Sequence, residues 1–135
     1  MGLVKKKKPN RKLVVKKLDA IFSQYIRLKN STNGLATCVT CGDTKPWKEM
    51  QNGHFYSRSR YATRWDENNC NVQCMKDNIF LKGHYIAYTK YMLDKHGRDF
   101  VDDLEVRSKQ LHKISTVELE EKIVEFTEKV KQLQK

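Results

Sequence analysis

Cys38-x2-Cys41, Gly53-His54-Phe55, Asn69-x4-Cys74-x2-Asp77-Asn78 and Gly83-His84 follow one another in a single run of the chain. Cys38-x2-Cys41 has the chelating spacing of a zinc knuckle, and Cys74 opens a second half-site further on. Two such halves predict a metal that pins a β-hairpin, with His54 held between them. The fourth ligand has two candidates. Asp77 stands where a second knuckle would close, and zinc accepts carboxylate oxygen at about 2.0–2.2 Å. Cys70 is the competitor. If residues 70–74 are extended, at about 3.3 Å per residue, their ends lie roughly 13 Å apart, and Cys70 joins only from a loop or a helical turn. Asp77 is the expected ligand and Cys70 the alternative.

Composition frames this motif. The chain has 135 residues, enough for one domain with a modest core. Its formal charge is +11, so a polyanionic partner is the default expectation. Lys5, Lys6, Lys7, Lys8, Arg11, Lys12, Lys16 and Lys17 fall before Leu18 with no acid among them. Residues 1–12 are therefore expected to be a basic, disordered arm able to track phosphates. No apolar run follows the lysines, and no stretch is long and apolar enough to span a bilayer, so neither secretion nor membrane insertion is expected. With four cysteines in a knuckle spacing, a metal in a reducing cytoplasm is preferred to disulfides.

Outward from the motif, the periodicity is mostly helical. Leu18, Ile21, Phe22, Tyr25 and Leu28 step by three and four, predicting a helix from about Lys12 to Lys29 that Asn30 to Gly34 stops. Cys38 to Trp47 reads as a knuckle turn, and Met50 to Arg64 as extended and loop-like. Ile79, Leu81, Tyr85, Tyr88, Tyr91, Met92 and Leu93 predict a helix over 79–96, unbroken or interrupted at Gly83, and a shorter one follows over 99–111. Ser115 or Thr116 caps a terminal helix whose Leu119, Ile123, Phe126, Val130 and Leu133 form a short heptad seam. That seam packs either on its own domain or against a second copy as a homodimer. The expected organisation is an arm at 1–12, a zinc-containing domain at 13–114 and an amphipathic helix at 115–135, in an α+β fold.

The chemistry centres on His54. A neutral imidazole suits general-base work at pH 7, and Phe55, Tyr56, Arg58, Arg60, Tyr61, Arg64 and Trp65 follow it. Arginines interleaved with aromatics supply phosphate contacts and stacking platforms, with Phe55 and Trp65 expected in the core. Hydrolysis of a phosphodiester also needs a hard cation. Asn78 and His84 are candidates to hold one Mg²⁺ or Mn²⁺ whose shell is mostly water.

Over residues 18–104 the chain resembles the phage NinG family of recombination endonucleases, also called Rap, within the wider HNH or ββα-metal nucleases. The matching positions include Leu18-Asp19-x2-Phe22-Ser23-x2-Ile26-Arg27, Cys38-x2-Cys41-Gly42, Gly53-His54-Phe55-x-Ser57-Arg58, Arg64-Trp65-Asp66-Glu67-x-Asn69, Gln73-Cys74, Asn78, Gly83 and Gly97. The resemblance implies a structure-selective DNA endonuclease that uses a divalent cation on branched intermediates such as D-loops and Holliday junctions, in the cytoplasm of a phage-infected or lysogenic cell. It makes His54 the base, Asn69 the polar residue that fixes the hairpin, and Asn78 the metal ligand opening the motif helix. Two positions depart from the pattern: Asp77 replaces a cysteine, and Asn52-Gly53 stand where the wider group has an acid before the histidine. Glu49, Asp66 or Glu67 would then bring the missing carboxylate. A non-catalytic, zinc-stabilised DNA-binding module is the alternative reading, with His54 structural.

Overall fold

The computed structural model describes residues 10–135. Its frame is a pair of helices from opposite ends of the sequence. Helix α1 (Arg11–Lys29) starts where the Asn10 side chain accepts the Lys12 N–H, and it ends with Arg27 and Lys29 favourably placed in its last turn. Val14, Leu18, Phe22 and Ile26 recur every four residues and form its buried stripe. Helix α5 (Thr116–Leu133) begins at Ser115, whose hydroxyl accepts the Glu118 N–H, and buries Leu119, Phe126 and Val130. The two stripes interlock, with Phe22 edge-on to Phe126 at 4.9 Å between ring centres. Leu119 and Phe126 of the heptad seam are thus covered within the chain, whereas Leu133 at its end is exposed. Arg11 also differs from expectation. It belongs to α1 rather than to the arm, and its guanidinium donates to the Ile114 carbonyl at 2.8 Å. Lys12 is likewise helical and exposed, whereas Lys5 to Lys8 lie outside the described residues.

Between these helices the chain builds two small antiparallel sheets. Strands β1 (Ser31–Thr32) and β2 (Leu35–Thr37) are joined by Asn33-Gly34, both at positive φ. This is the two-residue turn that asparagine and glycine favour because its twist matches that of the flanking strands. Strand β3 (Thr44–Pro46) pairs with β2, so the Cys38–Asp43 segment is the tip of a second hairpin. In the other sheet β4 (Gln51–His54) pairs with β5 (Cys70–Gln73) in a register that sets Gly53 opposite Asn71 and His54 opposite Cys70. The expected extended stretch from Met50 to Arg64 is therefore a strand only as far as His54, and a short helix α2 (Tyr61–Arg64) follows.

After β5 a helical turn (Lys76–Phe80), helix α3 (Tyr85–His96) and helix α4 (Arg98–Ser108) complete an α+β architecture. The break near Gly83 exists, but the apolar residues before it are not core. Tyr88 and Met92 are buried with Phe55, Val101 and Leu104, while Ile79, Leu81 and Tyr85 are exposed. Trp65 is buried in the α1–α5 core, and a third cluster of Ala36, Met50 and Val72 sits beneath the knuckle. Among the described residues no helix is long and apolar enough to cross a membrane.

Candidate functional site

The knuckle tip, the end of β5 and the turn behind it converge on one point. Cys38 Sγ, Cys41 Sγ, Cys74 Sγ and a carboxylate oxygen of Asp77 all lie within 4.8 Å of one another. Cys41 Sγ is 3.6 Å from Cys74 Sγ, and Cys38 Sγ is 3.6 Å from Asp77 Oδ2. Tetrahedral zinc with bonds of about 2.3 Å to sulfur and about 2.0 Å to oxygen separates its ligands by about 3.5–3.8 Å. The spacing fits. So does the chemistry, because Asp77 is fully buried and its Oδ1 has no hydrogen-bond partner. A buried carboxylate without compensation is costly, and a bound cation supplies the compensation. Burial opposes ionisation of Asp77, yet the Thr40 hydroxyl, His84 and Cys38 around it hold its carboxyl below the ordinary range.

Cys70 is not part of this cluster. Because residues 70–73 form a strand, its side chain falls in the α1–α5 core, where burial drives its thiol well above the usual value. Gln73 ties the metal point to its surroundings. Its Nε2 donates to Thr40 Oγ1 at 3.1 Å and to the Gly83 carbonyl at 2.9 Å, while Thr40 Oγ1 donates to Asp77 Oδ2 at 2.5 Å.

A groove of about 710 Å³ runs past the end of β4, bounded by α1 on one side and by the 78–85 segment on the other. His54, Gln51, Asn52 and Asn78 line it together with the cations Arg27, Arg58 and Lys82. His54 Nε2 lies 2.8 Å from the Arg64 carbonyl. A carbonyl only accepts, so Nε2 carries the ring proton and Nδ1 remains as the acceptor. Burial lowers the His54 pKa from 6.5 to about 4, against the opposing pull of the Arg64 carbonyl and Asp19. The imidazole is therefore neutral at pH 7.

The groove's oxygen donors are mainly amides. Asn78 Nδ2 donates to Gln51 Oε1 at 2.7 Å, and Asn52 Oδ1 is buried without a partner. Its one carboxylate is Asp19, which the sequence reading did not assign a role. Arg64 Nε and Trp65 Nε1 donate to Asp19 Oδ1 at 3.0 and 2.9 Å, and Arg64 Nη2 donates to Oδ2 at 2.5 Å. Asp19 thus positions the very residue whose carbonyl orients His54. Only tertiary approach across 45 residues creates that link, so no local pattern announces it.

The other expected residues divide. Asn69 is fully buried and cross-ties the loop after β4. Its Oδ1 accepts the Tyr56 N–H, and its Nδ2 donates to the Tyr56 and Thr63 carbonyls. His84 does not share a cation pocket with Asn78. It is absent from the groove lining, and its Nδ1 lies 3.2 Å from Asp77 Oδ2, on the cysteine side. Glu49, Asp66 and Glu67 do not line the groove either; Asp66 pairs with Arg107 and Glu67 with Lys29. Of the arginines, Arg58 is exposed at the groove, Arg60 donates to Ser108 while stacking over Tyr56, and Arg64 is committed to Asp19.

No curated protein and no solved structure matches the chain. One family model does, that of the bacteriophage lambda NinG protein, and its match runs over residues 3–135. Since the match takes in both the cysteine point and the groove beside it, as well as the helices that frame them, the chain belongs to the NinG family.

Proposed function

We propose that the chain is a structure-selective, divalent-metal-dependent DNA endonuclease that acts on branched recombination intermediates, such as D-loops and junctions, in the host cytoplasm. The observation that carries this reading is His54: a neutral imidazole, oriented through Nε2 by the Arg64 carbonyl, in a groove lined by Arg27, Arg58 and Lys82. The succession of β4, β5 and a helical turn that bears Asn78 supports a ββα-metal, HNH-like reading of the same segment. In this mechanism Nδ1 of His54 takes the proton of a water whose oxygen attacks phosphorus. The P–O bond opposite breaks, and the nearby cationic side chains hold the non-bridging oxygens in place. A hard cation held by Asn78, with most of its shell as water, would stabilise charge on the phosphorus centre and the leaving oxygen. Asn69 keeps the 55–68 loop, and with it the Arg64 carbonyl, in register. Cys38, Cys41, Cys74 and Asp77 would hold a structural zinc that pins the knuckle to β5.

One observation favours a second reading, a non-catalytic DNA-binding module. Asp19 is the sole acidic side chain lining the groove, and both its oxygens are engaged. Nicking of a synthetic junction with Mg²⁺ or Mn²⁺, against a chelator control, separates the two. His54→Ala should retain junction binding and lose about 10²–10⁴-fold in cleavage rate. Cleavage by the variant above a tenth of the parental rate refutes the base, and absence of nicking by the parent with either cation selects the module.

A further inference from the structure

Between the metal point and α3 the chain presents an apolar tip to solvent. Met75, Ile79, Phe80, Leu81, Tyr85 and Ile86 are all exposed, Phe80 to 73% and Ile86 to 89%. Contiguous apolar exposure of this kind on a chain so rich in charge marks a contact surface. The tip is also held in shape. Leu81 N–H donates to the Lys76 carbonyl, Gly83 N–H to Asp77 and His84 N–H to Leu81. Lys82, Gly83 and His84 all lie at positive φ, at 50°, 92° and 49°. For the two that are not glycine this conformation is unfavourable, and the chain keeps it where it turns the apolar side chains outward. Ile79, Lys82 and Tyr85 belong to the tip and to the wall of the His54 groove at once.

We propose that this tip is a wedge that engages unstacked bases at a DNA branch, beside the phosphate lying in the groove. The proposal rests on the reading that the groove takes DNA, and it names the substrate element recognised. The apolar tip calls for flat or apolar partner surface, while exposed Lys76 and Lys82 on the tip and Arg58 across the groove call for a polyanion. Nucleic acid with bases out of the stack provides both, whereas a fully paired duplex hides its base faces. An apolar protein surface would match the first demand and leave the lysines unanswered.

The test uses a junction with 2-aminopurine at the branch and a linear duplex carrying the same label, without added divalent cation so that no strand is cut. Binding of the parent should raise the fluorescence of the junction and leave that of the duplex unchanged. Phe80→Ala should abolish the rise and weaken junction affinity by about 5- to 150-fold, the worth of one stacked base, without altering duplex affinity. Phe80→Trp should restore both. The wedge is overturned if Phe80→Ala binds the junction as the parent does, or if duplex affinity falls by the same factor. It is equally overturned if Phe80→Ala lowers the sedimenting mass of the protein, since the tip would then be covered by a second copy. Because the readout is binding without cleavage, a parent that unstacks the branch but never nicks it overturns the nuclease reading alone. A parent that nicks while Phe80→Ala keeps full junction affinity overturns the wedge alone.

Discussion

Gly53 stands immediately before His54, and the structure gives it a steric reason to lack a side chain. A Cβ built there would lie 2.1 Å from Gln73 Oε1, 2.6 Å from its Cδ and 2.7 Å from its Cγ. The backbone of Gly53 is not at positive φ, so Gly53→Ala adds a clash and no torsional strain. Gln73 cannot swing out of the way cheaply, since it is fully buried and its Nε2 bonds both Thr40 and Gly83. Overpacking of a tight interior costs about 1–3 kcal/mol, and two hydrogen bonds contribute about 1 kcal/mol each. Gly53→Ala should therefore destabilise the zinc-loaded protein by about 3–5 kcal/mol in urea titration. On a domain of this size that lowers Tm by roughly 10–20 °C. Zinc affinity should fall with it, because Thr40 holds Asp77 Oδ2 from the same network. The decisive arm is a double-mutant cycle. Once Gln73→Ala has removed the obstructing atoms, adding Gly53→Ala should cost less than about 1 kcal/mol, a large favourable coupling. Equal costs in both backgrounds, or a single variant within about 1 kcal/mol of the parent, would refute the steric argument.

Stability should also depend on pH through His54. Its folded value of about 4 lies below its ordinary 6.5, so between these pH values the unfolded chain binds a proton that the folded chain does not. The contribution is full above pH 6.5 and is lost as pH falls toward 4, about 3 kcal/mol over the window. Urea titrations of His54→Gln should show a shallower slope there, and an unchanged slope would assign the acid sensitivity elsewhere. Cys38→Ser or Cys74→Ser should lower melting temperature and zinc content together, while Asp77→Cys keeps stoichiometric zinc by elemental analysis. Cys70→Ser should leave zinc content intact, and loss of zinc in that variant would refute the ligand set. Deleting residues 1–9 removes Lys5 to Lys8, and at about 0.9 per neutralised phosphate the slope of log K against log salt for duplex binding should flatten by about 2–4. An unchanged slope would mean that these lysines do not touch DNA.

The long elements were legible because their signal is periodic. The apolar stripes of α1 and α5 are written at helical spacing, and the metal ligands at chelating spacing. What escaped reading has identifiable physical causes. Asn33-Gly34 reads as a helix stop, although the pair is also the strongest short hairpin signal, and β1 and β2 are too short to show alternation. Ile79 and Leu81 extend the apolar pattern of α3, so periodicity assigns them to the core. They are exposed, and the chain breaks at the positive-φ residues Lys82, Gly83 and His84, so the two lie outside α3: Gly83 marks the break, but periodicity does not say which side of it is core. His84 and Asn78 are near in sequence but serve different places, Asn78 lining the groove and His84 lying against Asp77. Asp19 acquires its role only when α1 docks against the loop after β4, a contact that no local window contains.

The pairing of α1 with α5 has a consequence for how the protein is made. The stripe of Val14, Leu18, Phe22 and Ile26 leaves the ribosome well before its partners Leu119 and Phe126. With synthesis at about 5–20 residues per second, the early stripe waits on the order of 5–20 s for its cover. During that interval the four residues that could hold a metal can already come together, since Cys38 to Asp77 are complete while α5 is still to come. Birth of the molecule thus runs from the middle outward: the cysteine-lined centre can assemble first, and the α1–α5 clasp shuts only when α5 arrives.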